Sequence, residues 1–348
     1  DRYANDEIGW EKSYKLNVGA EMRTVFGLSA NIEYFTERRE NILLNRIIPN
    51  TMGIIPDVKA NLGKAKGKGV DMELNYEKSF NKDLWITGRG TLTYATSEAV
   101  EWEEPDYSET PWLSKVGKSL TQTWGYIAER LFVDEEEVRN SPTQFGEYMA
   151  GDIKYRDVNG DGKISELDKV PIGYPTTPEI NYGFGLSVGY KGVDASFFFQ
   201  GSGRQSFWLD LKKITPFLDG DAGDNDQDNL LGQNAVLDVI ANSYWSENNR
   251  NPYAFWPRLA NQTVENNNQT STWFMQDATF LRLKSVEIGY TVPRDLVKKF
   301  KVQNLRFYVS GTNLLCWSKF KLWDPEMAGN GLGYPVQRVI NVGLNLGF

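Results

Sequence analysis

The chain has 348 residues, 38 basic and 46 acidic, for a formal charge of −8, and it contains no histidine. The acidic balance excludes a surface built to neutralise nucleic-acid phosphates, and the missing imidazole excludes Ser-His-Asp and Cys-His catalysis and His-dependent zinc sites. The single cysteine, Cys316, can form neither an internal disulfide nor a thiolate cluster, and no apolar run approaches the ~18 residues that suggest a transmembrane helix.

The first residues, from Asp1, show no basic n-region, apolar stretch or small-residue cleavage site, so no signal peptide is expected within this sequence. From there a period-two pattern recurs along the chain. Tyr14, Leu16, Val18, Ala20 and Met22 alternate with Lys15, Asn17, Gly19, Glu21 and Arg23. Leu28 to Tyr34 and Val70 to Tyr76 repeat it, and Leu84, Ile86, Leu92 and Tyr94 share a parity that passes over Gly88 and Gly90. The clearest case sets Tyr182, Phe184, Leu186, Val188 and Tyr190 against Gly183, Gly185, Ser187 and Gly189. Leu305, Phe307 and Val309 follow, and Val342, Leu344, Leu346 and Phe348 close the series. Alternation of this kind predicts strands with unlike faces.

A soluble antiparallel sandwich also alternates. Three features favour a membrane barrel instead. The apolar faces carry ring-bearing ends at Tyr14, Tyr34, Tyr76, Tyr94, Tyr182, Tyr190 and Tyr290, as interfacial girdles do. The opposite faces hold Asp, Glu, Lys, Arg and Asn, which a sandwich core could not bury unpaired. Connections also come in two lengths: short turns at Phe26-Gly27, 79–83, Lys191-Gly192 and 293–301, and long polar segments at 43–66, 96–179, 202–277 and 316–335. The 293–301 turn should be a short helical turn starting at Pro293. Short turns on one side and long loops on the other are the asymmetry of an outer-membrane barrel.

About nine such strands are expected, nine to ten at most, with a further extended piece at 121–132 belonging to a loop. Nine is odd, and single-chain bacterial barrels have even strand numbers, so the fold class expected is all-β: an antiparallel segment of a larger transmembrane barrel. The regions 96–179 and 202–277 are its large extracellular loops.

One loop motif is sharp. In the run from Asp157 to Asp168, oxygen ligands fall at Asp157, Asn159 and Asp161, Gly162 takes the turn, the Lys163 carbonyl follows, and Asp168 closes at position 12. That spacing can wrap a hard cation such as Ca²⁺ as a structural ion, with Asp168 standing where an EF-hand has a longer Glu; an Asn-Gly-Asp-Gly turn without metal fits the same residues. No organic cofactor is implied. The carboxylates at 101–109, 134–137 and 219–228 read as solvated loops, the second as a helix N-terminus at Asp134. Trp112, Trp208, Trp245, Tyr253, Trp256 and Trp273 are dense for linkers and are candidates to stack on sugar rings or pack on a partner. Nothing in the sequence marks a catalytic centre.

Several runs resemble the C-terminal third of SusC/RagA-type TonB-dependent outer-membrane transporters. They are Trp10-Glu-Lys-Ser, 67–74, Gly151-Asp-Ile-Lys-Tyr-Arg-Asp-Val-Asn-Gly-Asp-Gly-Lys-Ile, Ile172-Gly-Tyr-Pro, 177–184, 280–290, 308–315 and Trp323-Asp-Pro-Glu, with the final Phe348. They are collinear with the family along nearly the whole chain. The resemblance implies the terminal part, 1–348, of a large barrel of the 22-stranded, plugged-lumen kind. The plug and TonB box then lie outside these residues, and Phe348 would be an assembly signal. It further implies a multi-pass protein of a Gram-negative outer membrane, embedded in outer-membrane lipid. Its partners would be a SusD-like surface lipoprotein, TonB-ExbB-ExbD, and the rest of the barrel and plug. Its cargo would be an oligosaccharide or a peptide. The competing expectation is a soluble secreted carbohydrate-binding β-protein with a Ca²⁺-ordered loop.

Overall fold

The computed structural model describes residues 5–48, 58–217 and 234–348. The acidic run at 219–228, and the centre of the segment expected at 43–66, lie outside the described residues. In chain order the strands are β1 (Lys12–Arg23), β2 (Leu28–Asn45), β3 (Lys59–Ser79), β4 (Leu84–Glu101), β5 (Thr123–Gly125), β6 (Ala128–Leu131), β7 (Ile153–Tyr155), β8 (Val170–Ile172), β9 (Ile180–Tyr190), β10 (Val193–Gly203), β11 (Ser206–Trp208), β12 (Met275–Asp277), β13 (Phe280–Thr291), β14 (Asn304–Ser318) and β15 (Val339–Gly347). Nine of them form one sheet in the order β1-β2-β3-β4-β9-β10-β13-β14-β15, every neighbour antiparallel. The six short ones pair off as β5-β8, β6-β7 and β11-β12 in the connections at one end.

The register carries the alternation from strand to strand without a slip of face. Tyr34 pairs with Val70 and Val70 with Tyr94; Tyr190 pairs with Val193, Val193 with Tyr290 and Tyr290 with Phe307. One face is therefore apolar with a ring row near each end. Its side chains are open to the surroundings: Val18, Ile288, Val342 and Leu344 are all more than half exposed. No second sheet covers this face among the described residues, which removes the sandwich reading. Exposed apolar area on this scale marks an interaction surface, here one with the period and ring rows of a lipid-facing wall.

The other face is polar. On it Arg306 from β14 reaches Asp194 of β10 (Nη2 to Oδ2, 2.5 Å) and Glu287 of β13 (2.7 Å), tying three strands together. Glycines there are overlain by rings: a Cβ on Gly189 would sit 2.1 Å from Trp85 Nε1, and one on Gly343 2.2 Å from the Tyr308 ring.

The short connections are as the sequence predicts. Lys191 and Gly192 both have positive φ (49° and 84°), the pairing that a two-residue type I′ hairpin requires. The 292–303 connection opens with a helical turn, Arg294–Val297, capped by Pro293. Strands β2 and β3 run further than expected, to Asn45 and from Lys59, because their ends, of mixed polar and apolar sequence, keep pairing through bulges near Ile42. At 18 and 21 residues they exceed the ~9–11 residues that cross a bilayer, so they project beyond the apolar band.

The sidedness is open to direct test. In the full-length protein, Leu186→Arg, near the middle of the apolar face, should cost about 2–4 kcal/mol in unfolding from lipid vesicles. Ser187→Arg, on the polar face, should cost close to nothing. Equal costs at the two positions would contradict the assignment of faces.

Candidate functional site

The connections at the long-loop end do not trail into solvent. Segments 102–179, 204–217, 234–279 and 319–338 fold over one another, and nearly all of the buried apolar residues lie here. Tyr126, Leu131, Ile153, Tyr155, Ile164, Phe207, Ile214, Ile240, Trp245, Trp256, Phe274 and Phe320 form one cluster. Its rings meet at the tilted angles their quadrupoles favour, Tyr126 on Tyr155 at 5.5 Å and Trp256 on Phe274 at 5.2 Å.

Polar groups sew the first long connection to the second. The Tyr126 amide donates to the Thr270 carbonyl (2.9 Å), and the Thr272 amide returns to the Tyr126 carbonyl (3.0 Å). Asn266, wholly buried, donates to the Ile153 carbonyl (2.7 Å) and accepts from the Phe145 amide (3.3 Å). The Tyr155 hydroxyl donates to the Asn266 carbonyl (2.8 Å). Asp152, also wholly buried, accepts from Asn267 (2.7 Å) and the Met149 amide (2.9 Å). Arg258 Nε lies 2.8 Å from it as an ion pair, at an angle off that of a hydrogen bond. Burial raises the Asp152 pKa, with Arg258 and these donors opposing it.

A second tie binds the last connection to the sheet. Arg282 of β13 is 1% exposed and pairs with Asp324 (2.6 Å) and Glu326 (2.7 Å). Two of the sequence runs singled out above, 280–290 and Trp323-Asp-Pro-Glu, therefore meet in space. Neither this pair nor the Asp152–Arg258–Asn267 group was singled out from the sequence, because a buried charge and a solvated one look alike until their partners are placed. The only available signal was that Asp152, Arg282, Asp324 and Glu326 sit inside quoted runs.

The helix expected at Asp134 is present as Glu135–Arg139, with the Asp134 side chain accepting from the Glu137 amide. Glu137 in turn receives Arg130 (2.6 and 2.9 Å) and Lys154 (3.0 Å). Burial opposes its ionisation, but the Val133 amide, Lys154 and Arg130 outweigh that and hold its pKa below the usual 4.5.

The 157–168 loop is closed by its own hydrogen bonds. Asp157 accepts from the amides of Gly160 (2.7 Å) and Gly162 (2.8 Å), both glycines with positive φ; Asp161 accepts from the Lys163 amide (2.9 Å), and Asn159 from the Asp161 amide (3.0 Å). Asp168 turns inward, fully buried, onto the amides of Val158 (2.8 Å) and Ser165 (2.8 Å). Among the described residues no three carboxylate or thiol groups come together as a metal-holding cluster. The Asp157 and Asp161 carboxylate oxygens each accept one hydrogen bond and keep a lone pair that suits a hard cation, whereas both Asp168 oxygens already accept two, and the turn holds without an ion.

The six loop aromatics divide. Trp245 and Trp256, each 6% exposed, belong to the core, and the Trp245 ring lies over Gly151. Trp112, Trp208 and Trp273 are half-buried, with indole N–H groups donating to the carbonyls of Leu167 (2.8 Å), Ser271 (2.9 Å) and Phe255 (3.2 Å). Tyr253 alone of the six stands free, at 70% exposure. Phe348, the terminal ring, is exposed just past β15.

Two outcomes follow. Trp256→Ala should destabilise the loop assembly by about 3–5 kcal/mol, whereas Tyr253→Ala should leave its stability unchanged, measured by hydrogen-exchange protection of 126–155. A depressed Glu137 pKa means stability that is complete above pH 4.5 and lost as pH falls through the lower folded-state value. Protection of β6 and β7 should therefore fall on acidification below that point, and Glu137→Gln should flatten the dependence.

No family model matches the chain. In sequence it is 28% identical to TonB-dependent receptor P26 of Formosa agariphila, over 100% of this chain and 36% of the relative. TonB-dependent receptor P3 of the same organism is 24% identical over 99% of this chain and 35% of its own length. TonB-dependent receptor SusC of Bacteroides thetaiotaomicron is 22% identical over 99% of this chain and 32% of its own length. The chain thus spans about a third of the curated relatives it matches. In structure it overlays the RagAB peptide transporter with TM-score 0.68 at 21% identity, and the open-open state of the RagAB importer with TM-score 0.70, covering 36% of that chain. Its fold is that of a segment of such a barrel, and along its whole length it is similar to part of the TonB-dependent receptors of the SusC type.

Proposed function

We propose that the chain forms the C-terminal barrel wall and extracellular loop assembly of a SusC-type, TonB-dependent transporter in a Gram-negative outer membrane. The observation that carries this is the nine-stranded antiparallel sheet, apolar on one face and polar on the other, with segments 102–179, 204–217, 234–279 and 319–338 packed at one end. Among the described residues its first and last strands, β1 and β15, each have one neighbour. Hydrocarbon does not tolerate an unpaired strand edge, so further strands of the same transporter close the sheet and enclose the polar face. The whole-length similarity to TonB-dependent receptors supports the same reading.

The mechanism is gated uptake, not covalent catalysis. The polar wall lines the path, a plug outside these residues blocks it, and TonB-ExbB-ExbD supplies the work. The loop assembly offers a rim, with the Tyr253 ring exposed on it, to a SusD-like surface lipoprotein and to the cargo. The cargo we favour is an oligosaccharide, because Tyr253 stands as a free ring on a rigid platform, the arrangement on which sugar faces stack. Ca²⁺ at Asp157, Asn159, Asp161 and the Lys163 carbonyl would serve only to tighten the loop, with Asp168 holding the backbone amides behind it.

The test uses the full-length protein extracted in detergent from its own membrane. A surface lipoprotein should co-purify, and oligosaccharides should bind by calorimetry while peptides of like size do not. Tyr253→Ala should weaken that binding about fivefold or more. A protein that stays soluble and monodisperse without detergent would overturn the transporter reading; preference for peptides would overturn the cargo. Chelation by EGTA should raise the rate of proteolysis between 157 and 168, and an unchanged rate would remove the ion.

A further inference from the structure

The lipid-facing side changes character above its upper ring row. Tyr34, Val70 and Tyr94 lie level across β2, β3 and β4. Two and four residues further up β3, the same face carries Lys68 between Thr36 and Thr96, then Lys66 between Arg38 and Glu98. The height is informative. Tyr76, in the lower ring row, is eight residues from Lys68 on β3. At about 3.4 Å per residue and a tilt near 40°, that is about 21 Å along the membrane normal, against an apolar band about 25 Å tall. The two lysines therefore stand at the upper edge of the hydrocarbon.

Loop residues complete a recess there. Lys118 and Gln122 approach from the first long connection, Tyr174 from the segment before β9, and Arg204 from the end of β10, around an open volume of about 400 Å³. Four cations, Lys66, Lys68, Lys118 and Arg204, face two carboxylates, Glu98 and Glu179, in a chain whose overall charge is −8. Both carboxylates are already committed, Glu98 to Lys66 (3.0 Å) and Glu179 to Arg204 (2.5 Å). Lys68 and Lys118 have no ion pair or side-chain hydrogen bond among the described residues.

Arg204 is held in place. Its φ is +54°, a left-handed conformation that costs free energy for a residue with a side chain, and its guanidinium lies 5.1 Å from the centre of the Tyr174 ring. Cations at the headgroup level, two of them uncompensated and one fixed over a ring, are an anion site.

We propose that this recess binds the phosphate of an anionic outer-leaflet lipid headgroup, with Lys68 and Lys118 as the principal contacts and Arg204 positioned beside them. The source is a lipid and not free phosphate, because the recess continues the same face as Val70, Met72 and Leu74, along which acyl chains would lie. The inference rests on the outer-membrane barrel reading above.

The full-length transporter, reconstituted in nanodiscs of phosphatidylethanolamine, should retain added monophosphoryl lipid A in native mass spectrometry in preference to its dephosphorylated form. The paired variant Lys68→Gln/Lys118→Gln should lose at least about tenfold of that preference. Lys12→Gln, on the same face of the sheet's edge strand and outside the recess, should leave it unchanged. Equal retention by wild type and the paired variant, in protein that inserts and shows heat-modifiable mobility, would overturn the lipid site alone. Displacement of the lipid by millimolar inorganic phosphate with no lipid preference would assign the site to a free anion and overturn it too. Failure to insert at all would overturn the barrel reading and this inference together.

Discussion

Everything in this chain depends on one constraint: in hydrocarbon, backbone N–H and C=O groups must pair with each other, since no water is there to receive them. An antiparallel sheet meets it between strands, and its period of two then lets one face be greasy while the other stays polar. The register shows how strictly this is kept. Bulges between Phe198 and Phe199 and between Leu283 and Ser285 shift the pairing, yet Leu281 and Leu283 still fall on the apolar side, while Arg282 remains on the polar one. A slip of a single residue would have placed the Asp194–Arg306–Glu287 group in lipid.

The same constraint explains where the buried core is. A membrane wall one strand thick cannot enclose side chains, so the folded interior collects in the connections, where rings from four segments can close on each other. The polar ties between those segments, Asp152 with Asn267 and Arg258, and Arg282 with Asp324 and Glu326, join residues far apart in sequence. They convert what would be separate loops into one platform. Buried charges of this kind are costly to break singly, because the partner left behind has no water to turn to.

The sheet was legible in the sequence, strand count included, because the alternation at 182–190 and its counterparts is imposed by the solvent on both sides and needs no partner to be recognised. Strand ends were less so: β2 and β3 extend where strict alternation has stopped, with Ile42, Leu43 and Leu44 in one run, so only pairing reveals them. The loops were least legible. Trp245, Tyr253 and Trp256 are all ring-bearing and lie close together in sequence, yet two are core struts and one is a free ring. What separates them is which distant segment covers each, and that is tertiary information. The 157–168 run falls between: its turn was evident from Asn159-Gly-Asp-Gly, whereas the inward rotation of Asp168 onto backbone amides was not.

The central claim is that even-numbered residues of β9 face lipid and odd-numbered residues face the enclosed interior. Single cysteines placed in turn at positions 182 to 190 of the full-length protein, with Cys316 replaced by serine, can carry a fluorophore quenched by brominated acyl chains. Quenching should be strong at 182, 184, 186, 188 and 190 and weak at the positions between them. Uniform quenching along the strand, or the opposite parity, would contradict the account.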